Sequence, residues 1–491
     1  MPLGSDMDAR ADRGGAAPTG DIGLVWFLLG VIACTLIAFG VRLYKIDAGS
    51  FWNDELYTVM TAADFHGKNL SKLFGYVPAR VGLELQGVDL KALDLKRPET
   101  WAEAGVTEWS LRLPHVLIGA LSVPALMLAG RRALGERGAL VFGALLAVSQ
   151  WHVYWSQAGR FYIVQFVFFS LALLLWHRSA RSRRPVVYVG AMVCAFFAFW
   201  SQPQALLVYA VMGIDWAVSI IRRDPIRLAL WQWIVGGISA GACVTLLAID
   251  LTKRTGEWTH FLGSERWNTP QEVLMGVVYF VWPATAAVAG LGGLWLLANH
   301  RRLGVLLCAG AVVPPAVFVA MSFNAFIGSR YAFMCLGPTL MIAAVVVVRL
   351  GEVVRPAGGR LLAVTPAAAV VVGQVFATMI YFRSGGNFHL PMNRVAWYIA
   401  AHNQAGEAIW AHEDEVIRYY ARTAGVRYLD AQTPDLATID SPAWFVFQAH
   451  PGDEPDPRSL APGMHFERRF GLLQSPSGEA VDVYRYEPPA R

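Results

Sequence analysis

At 491 residues, with 55% hydrophobic residues, only 16% charged ones, 18 Trp and a mean hydropathy of +0.41, the chain is too apolar for a water-soluble enzyme of its length and belongs in a bilayer. Its net charge of +5 does not mark a nucleic-acid partner, because the arginines stand in short clusters between apolar runs rather than along one face. They report membrane orientation instead.

Residues 1–20 are Gly, Ala and charge without periodicity and are expected to be a disordered cytoplasmic N-terminus. The first apolar span, 22–41, has no small-residue cleavage site and is expected to remain as a membrane helix. The stretch Phe51-Trp52-Asn53-Asp54-Glu55-Leu56-Tyr57 follows it directly. Adjacent acids there either mark a helix end facing water or do chemistry. A carboxylate where the dielectric falls has a tunable proton affinity and is suited to accept a proton from a hydroxyl brought to the membrane surface.

Further spans are expected at 111–130, 138–156, 161–177, 186–200, 203–221, 229–250, 273–297, 303–321, 331–348 and 361–381, about eleven in all. Every second connection is basic. The clusters are Arg131, Arg132 and Arg137; Arg178, Arg181, Arg183 and Arg184; Arg222, Arg223 and Arg227; Arg301 and Arg302; and Arg349, Arg355 and Arg360. The positive-inside rule puts these loops in the cytoplasm, and loops 42–110 and 251–272, the short 323–330 loop and the tail on the outer face. Arg112 at the start of the second span, Arg160 between the third and fourth, and Arg330 before the tenth are exceptions on that outer face. Each alone could be a headgroup anchor, with Tyr162 and Tyr331 as belt residues. Together, Arg forks in several outer loops match the oxygens of a phosphate-bearing ligand.

The tail, 382–491, turns polar. Runs at 408–411, 426–429, 444–447 and 481–484 read as strands and 415–423 as a helix, giving a small outer α/β domain. His412, Glu413, Asp414 and Glu415 read as a strand-to-helix turn with acids at the helix start rather than as a metal site. All five cysteines, Cys34, Cys194, Cys243, Cys308 and Cys335, lie in apolar spans, so no disulfide framework or zinc motif is implied.

The acidic pair after the first span, Arg112-Leu113-Pro114, the hairpin Ser156-Gln157-Ala158-Gly159-Arg160-Phe161-Tyr162 and Arg330-Tyr331 occur in an order that resembles the C-type membrane glycosyltransferases. The pattern is most similar to bacterial members related to protein O-mannosyltransferases and the lipid A aminoarabinose transferase, and it covers 22–381. The resemblance implies a polytopic helical fold whose outer face transfers a sugar from a polyprenyl (undecaprenyl) phosphate carrier, with the catalytic carboxylate in the first outer loop. It also implies a location in a bacterial inner membrane with the tail domain in the periplasm. The chain departs from relatives at 94–101, where Asp-Leu-Lys-Arg-Pro-Glu-Thr-Trp replaces a His- or Lys-Pro-Pro-Leu signature. Ala158 and Gly159 stand where relatives often place an acid, and no Trp-Trp-Asp signature is present.

Such a donor carries its own leaving group, so one base and a few fixed cations suffice. Asp54 is assigned as base, Glu55 as its orienting neighbour or substitute, and Arg160, Arg330 and Arg112 with Tyr162 and Tyr331 as donor-site candidates. The expected outcome is inversion at the anomeric carbon of a single transferred sugar, with an envelope lipid, polysaccharide or protein as acceptor. No cofactor is implied and no metal is indicated. An O-antigen-type polymerase or ligase, or a lipid-linked sugar transporter, would share the spans and cations. The first concentrates its chemistry in a late loop, and the second places charges deep within several helices.

Overall fold

The computed structural model describes residues 22–65, 70–180, 184–223, 226–253, 269–299, 301–325, 327–383, 391–403, 407–411, 414–425, 427–428, 439–449, 463–471 and 480–488. The expected disordered 1–20 stretch, most of the 251–272 loop, and His412 and Glu413 lie outside the described residues.

The first helix, α1 (Leu24–Leu43), shows how sequence becomes position. Phe27, Val31, Cys34, Ala38 and Arg42 recur every three or four residues and bury one stripe, while Trp26, Ile32 and Leu36 are left outside to meet lipid. In the outer loop, α2 (Asn53–Ala63) and α3 (Leu73–Leu85) follow. A capping box between Thr107 and Ser110 then starts α4 (Glu108–Ala147). The bundle continues through α5 (Gln150–Gln157), α6 (Tyr162–Ser179), α7 (Pro185–Ser201), α8 (Leu207–Ile221), α9 (Leu230–Lys253), α10 (Pro270–Val281), α11 (Pro283–Asn299), α12 (Arg301–Met321) and α13 (Leu336–Arg383).

Among the described residues eight helices are long and apolar enough to cross a membrane, or nine if α10 and α11 count as one. The chain is a multi-pass membrane protein. About eleven spans are expected from the sequence, and all fall largely on helical backbone, although 138–156 is interrupted at 148–149 between α4 and α5. The difference lies in α7, one residue short of span length at 17, and in α4, which joins two expected spans across a kink at Gly135. Gly135 (φ 73°) and Gly359 in α13 (φ 70°) adopt backbone that glycine enters without a Cβ penalty, and at Gly359 the chain folds back. The expected continuous span 273–297 is instead bent by 96° between α10 and α11. Pro283 has no N–H to continue the ladder and pushes Trp282 out of helical geometry, which here reaches φ 76°.

The tail adds α14 (Met392–His402), β1 (Ala408–Ala411), α15 (Asp414–Thr423), β2 (Arg427–Tyr428), β3 (Ala443–Ala449), β4 (Met464–Gly471) and β5 (Ala480–Tyr486). The sheet order is β2-β1-β3-β5-β4. β1 lies parallel to both neighbours, with Ile409 opposite Trp444, and β5 runs antiparallel to β3 with Tyr484 opposite Phe445. β4 is absent from the sequence expectation because Met464-His465-Phe466-Glu467-Arg468-Arg469-Phe470 breaks its alternation at a bulge between Phe466 and Arg468.

Among the described residues three apolar clusters result. One fills the membrane bundle, and a small one gathers Trp410, Phe445 and Tyr484 in the tail sheet. The third is shared: Phe51, Leu56, Val59, Leu83, Trp101 and Val106 of the first outer loop pack with Val395, Ile399, Ile417, Tyr420, Trp444 and Val483 of the tail. Loop and tail thus stabilise one another by burying a common apolar surface.

Candidate active site

Asp54 and Glu55 occupy the first turn of α2, where the helix dipole favours negative charge. Consecutive helical residues point about 100° apart, so the two carboxylates leave the helix in different directions and meet different partners.

Glu55 is 1% exposed and held on both oxygens by Arg112, Nε donating to Oε1 at 2.8 Å and Nη2 to Oε2 at 2.7 Å. The backbone N–H of Gly159 donates to the same Oε1 at 2.8 Å. The remaining Arg112 donors go to the carbonyls of Ile46, Gly49 and Ser50, at 2.8–2.9 Å. All five N–H groups of Arg112 are therefore engaged, and the residue fastens the 46–55 turn to α4. A Cβ at Gly159 would lie 2.5 Å from the Leu111 side chain and 3.3 Å from Glu55 Oε1, which explains glycine where relatives place an acid. The structure brings Arg112 to Glu55 and not to Asp54.

Asp54 lies in the other cluster. Its Oδ2 is 3.5 Å from Arg160 Nη2 and 3.4 Å from Arg330 Nη1, and its side chain is 25% exposed. These contacts are longer than charge-assisted hydrogen bonds of about 2.7–2.9 Å, so Asp54 is held between two cations more loosely than Glu55 by one. Arg160 is fixed by its own hydrogen bonds, Nη1 donating to the Asp54 carbonyl at 2.7 Å and to Thr58 Oγ1 at 3.0 Å. Its guanidinium lies 4.4 Å from the Phe161 ring centre and 6.0 Å from that of Trp52, while Arg330 lies 5.6 Å from Trp52. Burial works against the Arg160 charge, but Asp54 together with Tyr76 and Tyr162 offsets it and the guanidinium is held above its ordinary value.

The two tyrosines join the same cluster. The Tyr162 ring is 6.4 Å from that of Tyr331 and 4.2 Å from Trp155, and the Arg330 guanidinium lies 5.4 Å from the Tyr331 ring centre. Asp54, Arg160, Tyr162, Arg330 and Tyr331 therefore converge from α2, the α5–α6 turn and the 3-10 turn Ser329–Cys335.

Sequence reasoning missed Trp52, Tyr76 and Trp155. Tyr76 on α3 is buried, and its ring packs edge-on against Phe161 at 5.5 Å. Burial pushes its hydroxyl up, with Arg160 pulling the other way. Trp155 is 1% exposed with an indole N–H that has no protein partner. Such a buried donor is costly until an acceptor arrives. Both look like interfacial belt residues in a one-dimensional reading.

Arg42, also unmarked by sequence, is fully buried without a carboxylate. It donates to the carbonyls of Ala38, Leu146 and Ala147 and to Ser156, and meets His152 Nδ1 at 2.6 Å. It pins α1 to the C-terminal end of α4, which favours a cation. The tail reaches the site through Tyr420, whose hydroxyl donates to Glu108 Oε1 at 2.5 Å and accepts from the Phe51 N–H at 2.6 Å, three residues before Asp54. Burial holds that hydroxyl well above the usual tyrosine range. Among the described residues no group of three or more His, Cys, Asp or Glu side chains could hold a metal.

Residues 102–248 match a family model described as dolichyl-phosphate-mannose-protein mannosyltransferase. That segment includes Arg112, Arg160 and Tyr162 but not Asp54. No curated protein sequence matches the chain. In solved structures the chain is similar to ArnT from Cupriavidus metallidurans in the apo state, at 15% identity and a TM-score of 0.54, over 93% of this chain and 97% of that one. It is likewise similar to the same protein bound to undecaprenyl phosphate, at 15% identity and a TM-score of 0.52, over 93% and 98%. The fold is shared with ArnT over nearly the full length of both chains, and the segment 102–248 is similar to a family described by its lipid-phosphate-linked sugar transfer.

Proposed function

We propose that this enzyme transfers one sugar from a polyprenyl phosphate carrier to an acceptor hydroxyl on the outer face of a bacterial inner membrane, inverting the anomeric carbon. The observation that carries this reading is Asp54 held loosely between Arg160 and Arg330 while Glu55 is locked away by Arg112. One carboxylate remains adjustable, and two cations stand beside it for a phosphate. The alternating arginine clusters favour the outer face for this site.

In the proposed step, Asp54 takes the acceptor hydroxyl proton as that oxygen bonds to the anomeric carbon. The bond from that carbon to the phosphate oxygen breaks, and the lipid phosphate leaves with the electron pair. Arg330 turns from Asp54 to the phosphate as the donor binds, and Arg160, held in place by its Nη1 bonds, offers the phosphate its Nη2, which loosens the base and neutralises the leaving group. Trp155 N–H, without a protein partner, suits a sugar oxygen. No step passes through a metal or cofactor.

An apolar crevice near these cations supports a place for the carrier tail. It has a volume of about 480 Å³ and runs between α10, α11, α12 and α13, with Val277, Val281, Val319 and Ile342 in its wall. Cys335, which ends the 3-10 turn carrying Arg330, also lines it. The ArnT structure similar to this chain holds undecaprenyl phosphate, which fits a donor of that class here.

Binding tests the reading. Arg160→Ala and Arg330→Ala are each expected to weaken undecaprenyl phosphate binding by about 1–3 kcal/mol, roughly 5- to 150-fold, because ligand charge is left unpaired at low dielectric. Lysine should recover only part, since an ammonium lacks the planar fork. Unchanged binding in both alanine variants would make these residues headgroup anchors and place the phosphate elsewhere.

A further inference from the structure

On the membrane face opposite Asp54 the structure holds a cavity of about 520 Å³. It opens where α4 and α13 have both just turned, next to Gly135 and Gly359. In α13 the two arms come close enough that a Cβ on Gly351 would run into the Ala363 carbonyl. Ile22, just before α1, closes one side. The 20 residues of α1 rise about 30 Å, so the cavity and Asp54 sit at opposite headgroup levels.

The cavity has two kinds of wall. Leu140 and Val348 make its depth apolar, Val364 stands exposed at its mouth, and Arg137, Arg355 and Glu352 stand in its polar part. Glu352 cannot neutralise both arginines. It already accepts from Arg349 Nη1 at 2.6 Å, and Arg137 Nη1 is 3.9 Å away. The nearby acid Glu136 is occupied by Arg131 and by the Ile22 N–H at 2.9 Å. Two guanidiniums therefore already share the one carboxylate of this cavity, and Arg355 adds a third positive charge to its wall. None of these groups takes part in the chemistry at Asp54.

We infer that this cavity binds an anionic phospholipid of the leaflet opposite the active site, with its phosphate between Arg137 and Arg355 and an acyl chain along Leu140, Val348 and Val364. Charge complementarity selects the headgroup, because the surplus positive charge favours a lipid with net negative charge over a zwitterionic one. The apolar depth selects a lipid over a free anion, which would leave those walls facing water. Wedged between the α4 kink and the two arms of α13, the lipid would complete the packing of a helix that carries the Arg330 turn at its other end.

Native mass spectrometry of the full chain released from nanodiscs of phosphatidylglycerol and phosphatidylcholine tests this. The wild type is expected to retain one phosphatidylglycerol in preference to phosphatidylcholine. Arg137→Ala with Arg355→Ala should reduce that preference by about tenfold or more. Val364→Trp should block retention by covering the mouth of the hollow with every charge in place. Equal retention of both lipids by the wild type would overturn the proposal, as would undiminished phosphatidylglycerol in both variants. Inorganic phosphate competing at comparable concentration would show an anion site only. Undecaprenyl phosphate displacing phosphatidylglycerol at about a tenth of its concentration or less would assign the cavity to the carrier instead.

Discussion

Asp54→Asn is expected to lower turnover at least about a hundredfold while leaving donor binding nearly intact. Asparagine keeps the size of the side chain and much of its hydrogen bonding but cannot accept the proton from the acceptor hydroxyl. It also removes the charge that holds Arg160 and Arg330, so the cations should meet a lipid phosphate at least as readily as before. A loss confined to turnover separates a base from a binding residue. Glu55→Gln should cost less in turnover, because Glu55 is 1% exposed and does not reach the open side of the cluster. Purified variants assayed with saturating donor decide the matter. Normal turnover with Asn at 54 and none with Gln at 55 would make Glu55 the base, and tolerance of both would end the proposed mechanism.

The second large effect falls on folding. Arg112→Ala is expected to cost about 3–5 kcal/mol, because it leaves the Glu55 carboxylate buried with the Gly159 N–H as its remaining hydrogen bond from this pair's surroundings. It also releases the carbonyls of Ile46, Gly49 and Ser50, which hold the turn entering α2. Arg112→Lys should recover little, since three donors on one nitrogen cannot span two carboxylate oxygens and three carbonyls. Thermal unfolding in detergent, together with limited proteolysis of the 46–55 turn, measures the effect. A variant with the wild-type melting temperature and protease resistance would contradict it. If stability falls while phosphate binding by the surviving folded fraction is unchanged, Arg112 is a positioning residue.

Much of this was legible in sequence because membrane segments obey a coarse code. Span length, arginine alternation and all-round apolarity are one-dimensional signals, and 331–348 or 229–250 could be read from them directly. The bend at Trp282 depends on Pro283 alone, and one proline inside an apolar run does not say whether the helix kinks or breaks. Asp54, Arg160 and Arg330 stood out as charges at span ends, but their convergence is a tertiary fact.

The division of labour between the two acids was not legible. Asp54 and Glu55 are neighbours in sequence with the same chemistry, and only the direction each leaves α2 tells the exposed carboxylate from the buried one. Arg112 and Arg160 likewise looked equivalent until their donors were traced. Tyr76, Trp155 and Tyr420 escaped because aromatic residues at a membrane surface are ordinary. The shared core of loop and tail escaped because its two halves lie more than 300 residues apart, as in the bond from Tyr419 to the Val106 carbonyl.

The central claim is single-sugar transfer from a lipid phosphate with Asp54 as base. It is tested most directly by mass analysis of envelope lipids, polysaccharides and proteins from cells carrying the wild-type enzyme or Asp54→Asn at equal abundance. The account predicts one envelope component heavier by a single sugar with the wild type, and the unmodified component together with accumulated polyprenyl-phosphate sugar with the variant. Identical envelope masses in the two cells, with no accumulated donor in the variant, would contradict it.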